Sequence, residues 1–385
     1  MLPISNCISS ASTASGTPNA PKPTTRRLLA LGLACLMASA CAVSTAQDTP
    51  PKNTQTAKPQ KTYADNPLAL ELAAKLAADK KIPIERTLDI LSQAQFIPSV
   101  VNAVRPPKTP TVKNWDVYRS RFVEPIRIRK GLKFWSENEA TLQEAERKFG
   151  VPQEVIIAII GVETIYGEHI GNYRVLDALA TLGFDYPQGQ RDRSEFFRAE
   201  LAAFIDLCEN THLDALVVKG SYAGAIGLGQ FMPSSWQQFA VDGDENGIVD
   251  LFNSRRDAIF SVANFLKVHG WKPGTATLVP VEFREHVDLP TLLAPDILPT
   301  FLPETMSQLG LKLGKPVLTE EKLALVELVR GEKPSTYVVG GQNFYTVTRY
   351  NRSSFYATSV LQLAEELRSR RAQIPNQAGN TPVDK

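Results

Sequence analysis

Cysteine is scarce in this chain of 385 residues, with four in all: Cys7, Cys35, Cys41 and Cys208. Three of them lie in the first 41 residues, so a body without that segment keeps only Cys208 and cannot form an internal disulfide. Cys208 ends the run SEFFRAELAAFIDLC and reads as a small buried apolar residue. Histidine is as rare: His169, His212, His269 and His286 show no zinc-ligand spacing. P-loop, dinucleotide and GxSxG patterns are missing, and Gly227-Leu228-Gly229 lacks the strand-then-helix setting of a phosphate loop. Net charge is nearly absent too. Of 42 Lys and Arg, Lys22, Arg26 and Arg27 lie in residues 1–41, which leaves 39 basic against 40 acidic residues. Such balance gives no reason to expect nucleic acid or an anionic membrane surface as a partner.

The apolar content is ample. At 43% apolar and 21% charged, the chain can build a large core, and collagen-like, coiled-coil and wholly disordered chains are excluded. At roughly 150 residues per domain, two or three lobes fit. Residues 28–43, LLALGLACLMASACAV, follow Arg26 and Arg27 and read as an export signal, short of the about 20 apolar residues a permanent span needs. Small residues Ala38-Ser39-Ala40 before Cys41 resemble a bacterial lipoprotein site, with Ala where Leu is usual; cleavage after Ala40 or Ala46 without lipid is the rival. The expected organisation is a signal over 1–41 with lipid on Cys41, a tether over 42–61, a folded body over 62–373 and a frayed tail over 374–385. The corresponding location is the periplasm, with an anchor in the outer membrane.

Most of the body reads helical. Apolar residues at three- and four-residue spacing predict helices over Leu68–Ala78, Leu132–Phe149, Pro152–Glu163, Ser194–Cys208, Arg255–Val268 and Ser354–Arg371. Ala276–Phe283 reads as a strand, and Tyr337–Val339 with Phe344–Thr348 as a hairpin around Gly340-Gly341-Gln342-Asn343. The fold class is mainly α with a small β part.

Residues 151–167, VPQEVIIAIIGVETIYG, are apolar all the way round over 155–160, the pattern of a helix enclosed by protein. It delivers Glu163 beside Thr164, Tyr166 and Gly167. A carboxylate held among apolar walls has its pKa raised, which suits a general acid near neutral pH. Pairing with an Arg or a solvated helix end is the bland alternative. Glu154, nine residues back, falls on the opposite side of the helix, so no second carboxylate is placed locally.

GVETIYG resembles the catalytic-helix motif of the membrane-bound lytic transglycosylase B family, glycoside hydrolase family 103. GSYAGAIGLGQFMPSS (Gly220–Ser235), SVANFLKVHGW (Ser261–Trp271) and NFYTVTRYNRSSFY (Asn343–Tyr356) follow in the family's order, covering roughly residues 62–370. The resemblance implies a lysozyme-like core with an additional helical lobe and a small β subdomain. It implies Glu163 as the single catalytic acid/base, Ser221 and Gln230 in the sugar subsites, Tyr350, Asn351 and Tyr356 closing the cleft, and Tyr118 as a further cleft aromatic. Three departures stand out: Ile165-Tyr166 in place of Arg-Trp, Phe265 in place of a Tyr, and the Arg pair after YP spread to Arg191 and Arg193.

Residues 242–253, DGDENGIVDLFN, place oxygen side chains at calcium-loop positions 1, 3, 5 and 9 (Asp242, Asp244, Asn246, Asp250), with Gly247 at the turn. Position 12 is Asn253, not Glu. The resemblance implies a longer loop closed by Asp257, with Ile248 lending its carbonyl. A structural Ca2+ is expected and no cofactor for catalysis. The expected reaction is lytic cleavage of the MurNAc–GlcNAc β-1,4 bond of peptidoglycan glycan strands with 1,6-anhydro ends, by a monomer touching membrane only through its lipid. The alternatives are lysozyme-type hydrolysis of the same bond and a non-catalytic peptidoglycan-binding lipoprotein.

Overall fold

The computed structural model describes residues 62–106, 112–189 and 191–374. The signal, Cys41, the tether and all of the tail but Ile374 lie outside the described residues. Fifteen helices and six strands run in this order among the described residues. Helices α1 (Pro67–Lys80), α2 (Ile84–Ser92) and α3 (Pro98–Val104) come first. Then follow α4 (Trp115–Arg119), α5 (Pro125–Glu137), α6 (Glu139–Phe149), α7 (Gln153–Thr164), β1 (Tyr173–Arg174), α8 (Val175–Phe184), α9 (Ser194–Glu209), β2 (Lys219–Gly220), α10 (Pro233–Phe239) and α11 (Arg255–Val268). The last part is β3 (Leu278–Phe283), α12 (Leu289–Leu293), α13 (Pro303–Gln308), β4 (Leu311–Leu313), β5 (Ala324–Arg330), β6 (Lys333–Gly340), α14 (Gln342–Tyr350) and α15 (Ser354–Ala372). The protein is mainly α with a small β part, as expected. No helix among the described residues is long and apolar enough to cross a membrane.

Helix α7 is the axis of the fold. Val155 to Val162 are all buried, as a run apolar all round requires. Helices α5, α6, α11 and α15 pack around it. The starts of α5, α11 and α15 are fixed by side chains that accept otherwise orphaned backbone N–H groups. The Glu124 carboxylate accepts from Ile126 and Arg127 at 2.7 Å ahead of α5. Ser254 and Ser353 do the same for α11 and α15. Gly150, in the left-handed region at φ 73°, ends α6 and turns the chain into α7.

A four-stranded antiparallel sheet, in the order β4-β3-β6-β5, forms a separate layer. Val279, Leu325 and Val339 lie on one face, over a second small core with Leu292, Met306, Leu311 and Leu323. Val326 and Leu328, on the other face, join the helical core. A two-stranded ribbon pairs Tyr173 with Gly220.

Two expectations need correction. The helix over Leu132–Phe149 is two helices, broken at Asn138, whose Nδ2 donates to the Phe134 carbonyl at 2.7 Å. A side chain that bonds its own helix's backbone competes with the ladder. The hairpin of Tyr337–Val339 with Phe344–Thr348 does not form. β6 pairs with β5 and β3 instead, and residues 342–350 are helical. The β-branched residues there suggest a strand, yet Asn343, Phe344, Val347 and Thr348 are buried at helical spacing.

Candidate active site

Glu163 sits in the last turn of α7, which closes with Ile165 and Tyr166 both in the left-handed region, at φ 52° and 60°. Two consecutive non-glycine residues in that conformation are strained and need surrounding structure to hold them. Tyr166 is held by its hydroxyl, which donates to the Arg127 carbonyl at 3.0 Å. Its ring lies against two glycines, and a Cβ on Gly161 would meet the ring's Cζ at 2.6 Å. Gly161→Ala is therefore expected to lower stability by about 1–2 kcal/mol, crowding outweighing the helix-propensity gain. In a double-mutant cycle with Tyr166→Leu, denaturant melts should return a coupling of at least about 1 kcal/mol. Additive effects would show that the ring does not need the glycine.

Glu163 as a residue is half-buried, but its carboxyl is enclosed by protein. Loss of water pushes its pKa up to about 7, against the opposing effect of a hydrogen bond from the Tyr356 hydroxyl to Oε1 at 2.5 Å. Among the described residues no Lys, Arg or second carboxylate acts on it. The bland alternative of an Arg-neutralised Glu is thus absent from the described structure. Tyr356 is wholly buried in α15. Burial, then the adjacent Glu163, raises the phenols of Tyr350 and Tyr356 well above their ordinary value.

The other residues singled out in the sequence divide by what their side chains do. Tyr350 donates to the Gly229 carbonyl at 2.5 Å, holding the Gly220–Ser235 loop against α14. Tyr118 packs edge-on to Phe355 with ring centroids 5.4 Å apart, and lies close enough to Tyr356 to act on its phenol. Gln230 occupies the left-handed region at φ 51°, and its amide donates to the carbonyls of Ile170 and Gly227, each at 3.1 Å. Ser221 accepts from the Ala225 N–H at 3.0 Å and shapes the turn. These two side chains thus hold loop backbone, whereas the half-buried Asn351 amide makes no hydrogen bond among the described residues. Phe265 stacks on His269 at 4.0 Å and meets Tyr350 at 4.7 Å, so an apolar wall stands where a hydroxyl is expected. Arg193 lies over the Phe196 ring at 4.7 Å and Arg191 is exposed.

Sequence reasoning missed Thr164. Its buried hydroxyl donates to the Leu228 carbonyl at 2.8 Å and accepts from the Gly167 N–H at 3.0 Å, fastening the glycine-rich loop to the residue after Glu163. The signal was its place beside the Glu, on a helix end that has to be buried. The same loop is fastened on its far side, where Leu228 N–H donates to the Leu251 carbonyl at 2.8 Å.

Leu251 belongs to the acidic loop. Carboxylate oxygens of Asp242, Asp244 and Asp257 lie within 4.8 Å of one another. Asp257, fully buried at the start of α11, accepts from the Gly243 and Asp250 N–H groups and closes the loop. Asn253 instead donates to Asp250. Gly247 makes the turn at φ 88°. Three converging hard oxygens on a tight loop, one of them brought in from α11, fit a calcium ion.

Known proteins resemble this chain over most of its length. A protein-family model described as "Transglycosylase SLT domain" matches residues 65–365. Membrane-bound lytic murein transglycosylase B of Escherichia coli (strain K12) is 38% identical over 324 residues, which are 81% of this chain and 85% of that protein. The structure of the Escherichia coli lytic transglycosylase SLT35 in complex with calcium superposes with a TM-score of 0.71 at 37% identity, covering 82% of this chain and 96% of that one. SltB3 from Pseudomonas aeruginosa in complex with NAG-anhNAM-pentapeptide gives a TM-score of 0.67 at 27% identity, with 78% of each chain covered.

Proposed function

The chain belongs to the lytic transglycosylase family with the Transglycosylase SLT domain, with a lysozyme-like fold, and from that premise we propose that Glu163 is the one acid and base of a peptidoglycan-cleaving reaction. The observation that carries this reading is its enclosed carboxyl, held up to about 7 with no second carboxylate among the described residues acting on it. Protonated Glu163 donates to the glycosidic oxygen between N-acetylmuramic acid and N-acetylglucosamine. The substrate's 2-acetamido group stabilises the charge developing at C1, the role that a second carboxylate takes in most glycosidases. Ionised Glu163 then takes the proton of the muramyl C6 hydroxyl as that oxygen closes a 1,6-anhydro ring on C1. Water is not consumed, and the proton returns to the carboxyl for the next cycle. Tyr356 holds Oε1 through both steps, Tyr118 and Tyr350 line the cleft, and Asn351, Ser221 and Gln230 form its polar edges.

Digestion of purified sacculi tests this reading. Muropeptides one water lighter than the reducing-end form are expected, and reducing ends would make the enzyme a hydrolase. Binding of sacculi with no soluble fragments released would support the non-catalytic alternative.

Calcium belongs to the fold and not to the chemistry in this reading, with Asp242, Asp244, Asn246, Asp257 and the Ile248 carbonyl as ligands. Asp242→Asn with Asp244→Asn should abolish the calcium-dependent rise in thermal stability, about 2–3 kcal/mol at calcium a hundredfold above Kd. An undiminished rise in that variant would remove these ligands from the account. Anchoring through lipid on Cys41, on the periplasmic side of the outer membrane, completes the proposal, and release by Cys41→Ser is its expected result.

A further inference from the structure

The turn that follows Glu163 is strained, and a buried cation from α5 reaches both of its sides. Arg127, in the first turn of α5, is only 6% exposed. Its Nε donates to the Gly161 carbonyl at 2.8 Å, and its Nη1 donates to the Arg121 carbonyl. The Gly161 oxygen also accepts from the Ile165 N–H at 3.2 Å, so both of its lone pairs are used. The backbone carbonyl of Arg127 accepts from the Tyr166 hydroxyl at 3.0 Å, on the far side of the same turn. Further along α5, Lys130 pairs with Glu168, just past Gly167. Between these grips, residues 165–167 run through the left-handed region at φ 52°, 60° and 96°.

Burying a guanidinium carries a desolvation cost, and Arg127 lacks the close carboxylate that usually offsets it. Glu124 is the one carboxylate among the described residues paired with it, 3.7 Å from Nη1 and beyond hydrogen-bond reach. The Phe122 ring lies under Cζ at 5.3 Å. Burial pulls the pKa of Arg127 down, against Glu124 and Tyr166, and a guanidinium stays charged all the same. Both of its hydrogen bonds among the described residues go to backbone carbonyls, one of them in the last turn of α7. Arg127 is not among the groups that act on the Glu163 carboxyl, so its charge does not set that group's acidity. The titratable side chains beside Glu163 are Tyr356 on α15 and Tyr350 at the end of α14.

We propose that Arg127 is a positioning residue for the acid–base chemistry: its guanidinium and its backbone carbonyl clamp the turn that ends α7, and the clamp keeps the Glu163 carboxyl enclosed beside Tyr356. This rests on the reading of Glu163 as the acid and base. Two consecutive non-glycine residues in the left-handed region persist only while their surroundings hold them. Released, the turn relaxes toward ordinary backbone conformations and opens the carboxyl to water. Renewed solvation then lowers the pKa of Glu163 toward the ordinary carboxylate range, opposite in sign to the loss of the Tyr356 hydroxyl.

Substitutions in the full-length protein test this. Arg127→Met removes the guanidinium, Arg127→Lys keeps the charge and a donor, and Tyr166→Phe removes the hydroxyl grip while keeping the ring. Each variant is followed by thermal melt, by the pH profile of kcat/KM on purified sacculi, and by NMR titration of the Glu163 carboxyl. In Arg127→Met, kcat should fall by about 10–10²-fold with KM nearly unchanged. The high-pH limb and the carboxyl midpoint should both move down by about one pH unit. Tyr166→Phe should move them the same way by less, and Arg127→Lys should fall between Arg127→Met and the parent. A merely structural arginine would lower the melting midpoint and leave limb and carboxyl midpoint in place. That result in a folded Arg127→Met, or in Tyr166→Phe where Arg127→Met does not fold, overturns the proposal. A limb that moves up, or a lysine no better than methionine in both readouts, overturns it too. A parent carboxyl titrating near 4.5 would instead overturn the reading of Glu163 itself, so the two failures are told apart.

Discussion

Glu163→Gln is expected to cut the cleavage of purified sacculi by roughly 10²–10⁴-fold, the usual scale of positioned acid–base help, and by more if both proton transfers are lost together. The same variant should be more stable than the parent at high pH. Glu163 has its folded-state pKa raised from 4.5 to about 7. The folded protein therefore binds its proton more tightly than the unfolded chain does. Below pH 4.5 both states are protonated and Gln is nearly neutral. As pH rises from 4.5 to 7 the unfolded chain ionises while the enclosed carboxyl keeps its proton, so stability falls, and above 7 the folded state has ionised as well and the loss is complete. Gln avoids that cost, so its advantage should be on the order of 2 kcal/mol at pH 8, allowing for the partly accessible edge of the residue. A paired activity assay and thermal melt at pH 4 and pH 8 checks both halves. A variant that is inactive and also less stable at pH 8 would mean that Glu163 is a structural carboxylate.

Tyr356→Phe should have the next largest effect. The Tyr356 hydroxyl makes the one side-chain hydrogen bond on Glu163 among the described residues, and it favours the ionised carboxyl. Without it the pKa of Glu163 rises further. The high-pH limb of kcat/KM should move to higher pH, while the step that needs Glu163 as a base slows. Loss of a hydrogen bond to a charged group costs about 1.5–3 kcal/mol, or roughly 10–150-fold in rate. The ring stays in place, so packing in α15 is largely kept. A pH–rate profile that falls in height without moving would show that Tyr356 acts through packing alone.

These residues show what a single sequence can carry. Helix α7 was legible because residues 155–160 are apolar all the way round, and Gly150 and Pro152 mark its start. Helix α11 was legible for a local reason too, since its apolar residues repeat at helical spacing, and the structure adds the Ser254 cap. The contact that defines the site was not legible locally. Tyr356 meets Glu163 across 193 residues of chain, and only the resemblance to a family put them in one cleft. Closure of the acidic loop was equally remote from pattern. Asn253 stands at the standard closing position, yet Asp257 supplies the converging oxygen because it lies on α11, outside the loop. Helix α14 was misread because its Thr and Val residues favour strands in isolation, and burial of one face against the core overrides that preference. Thr164 escaped notice because a threonine at a helix end has many bland uses, and its bond to Leu228 is a tertiary one.

The most direct test is to titrate the Glu163 carboxyl itself. In protein labelled with isotope at its glutamate carboxyls, NMR spectra followed over pH and assigned by loss of the signal in Glu163→Gln report one group. A midpoint near 7, shifted upward in Tyr356→Phe, is the predicted result. A midpoint in the ordinary range near 4.5 would contradict it, because a carboxyl already ionised at neutral pH has no proton to give to a glycosidic oxygen.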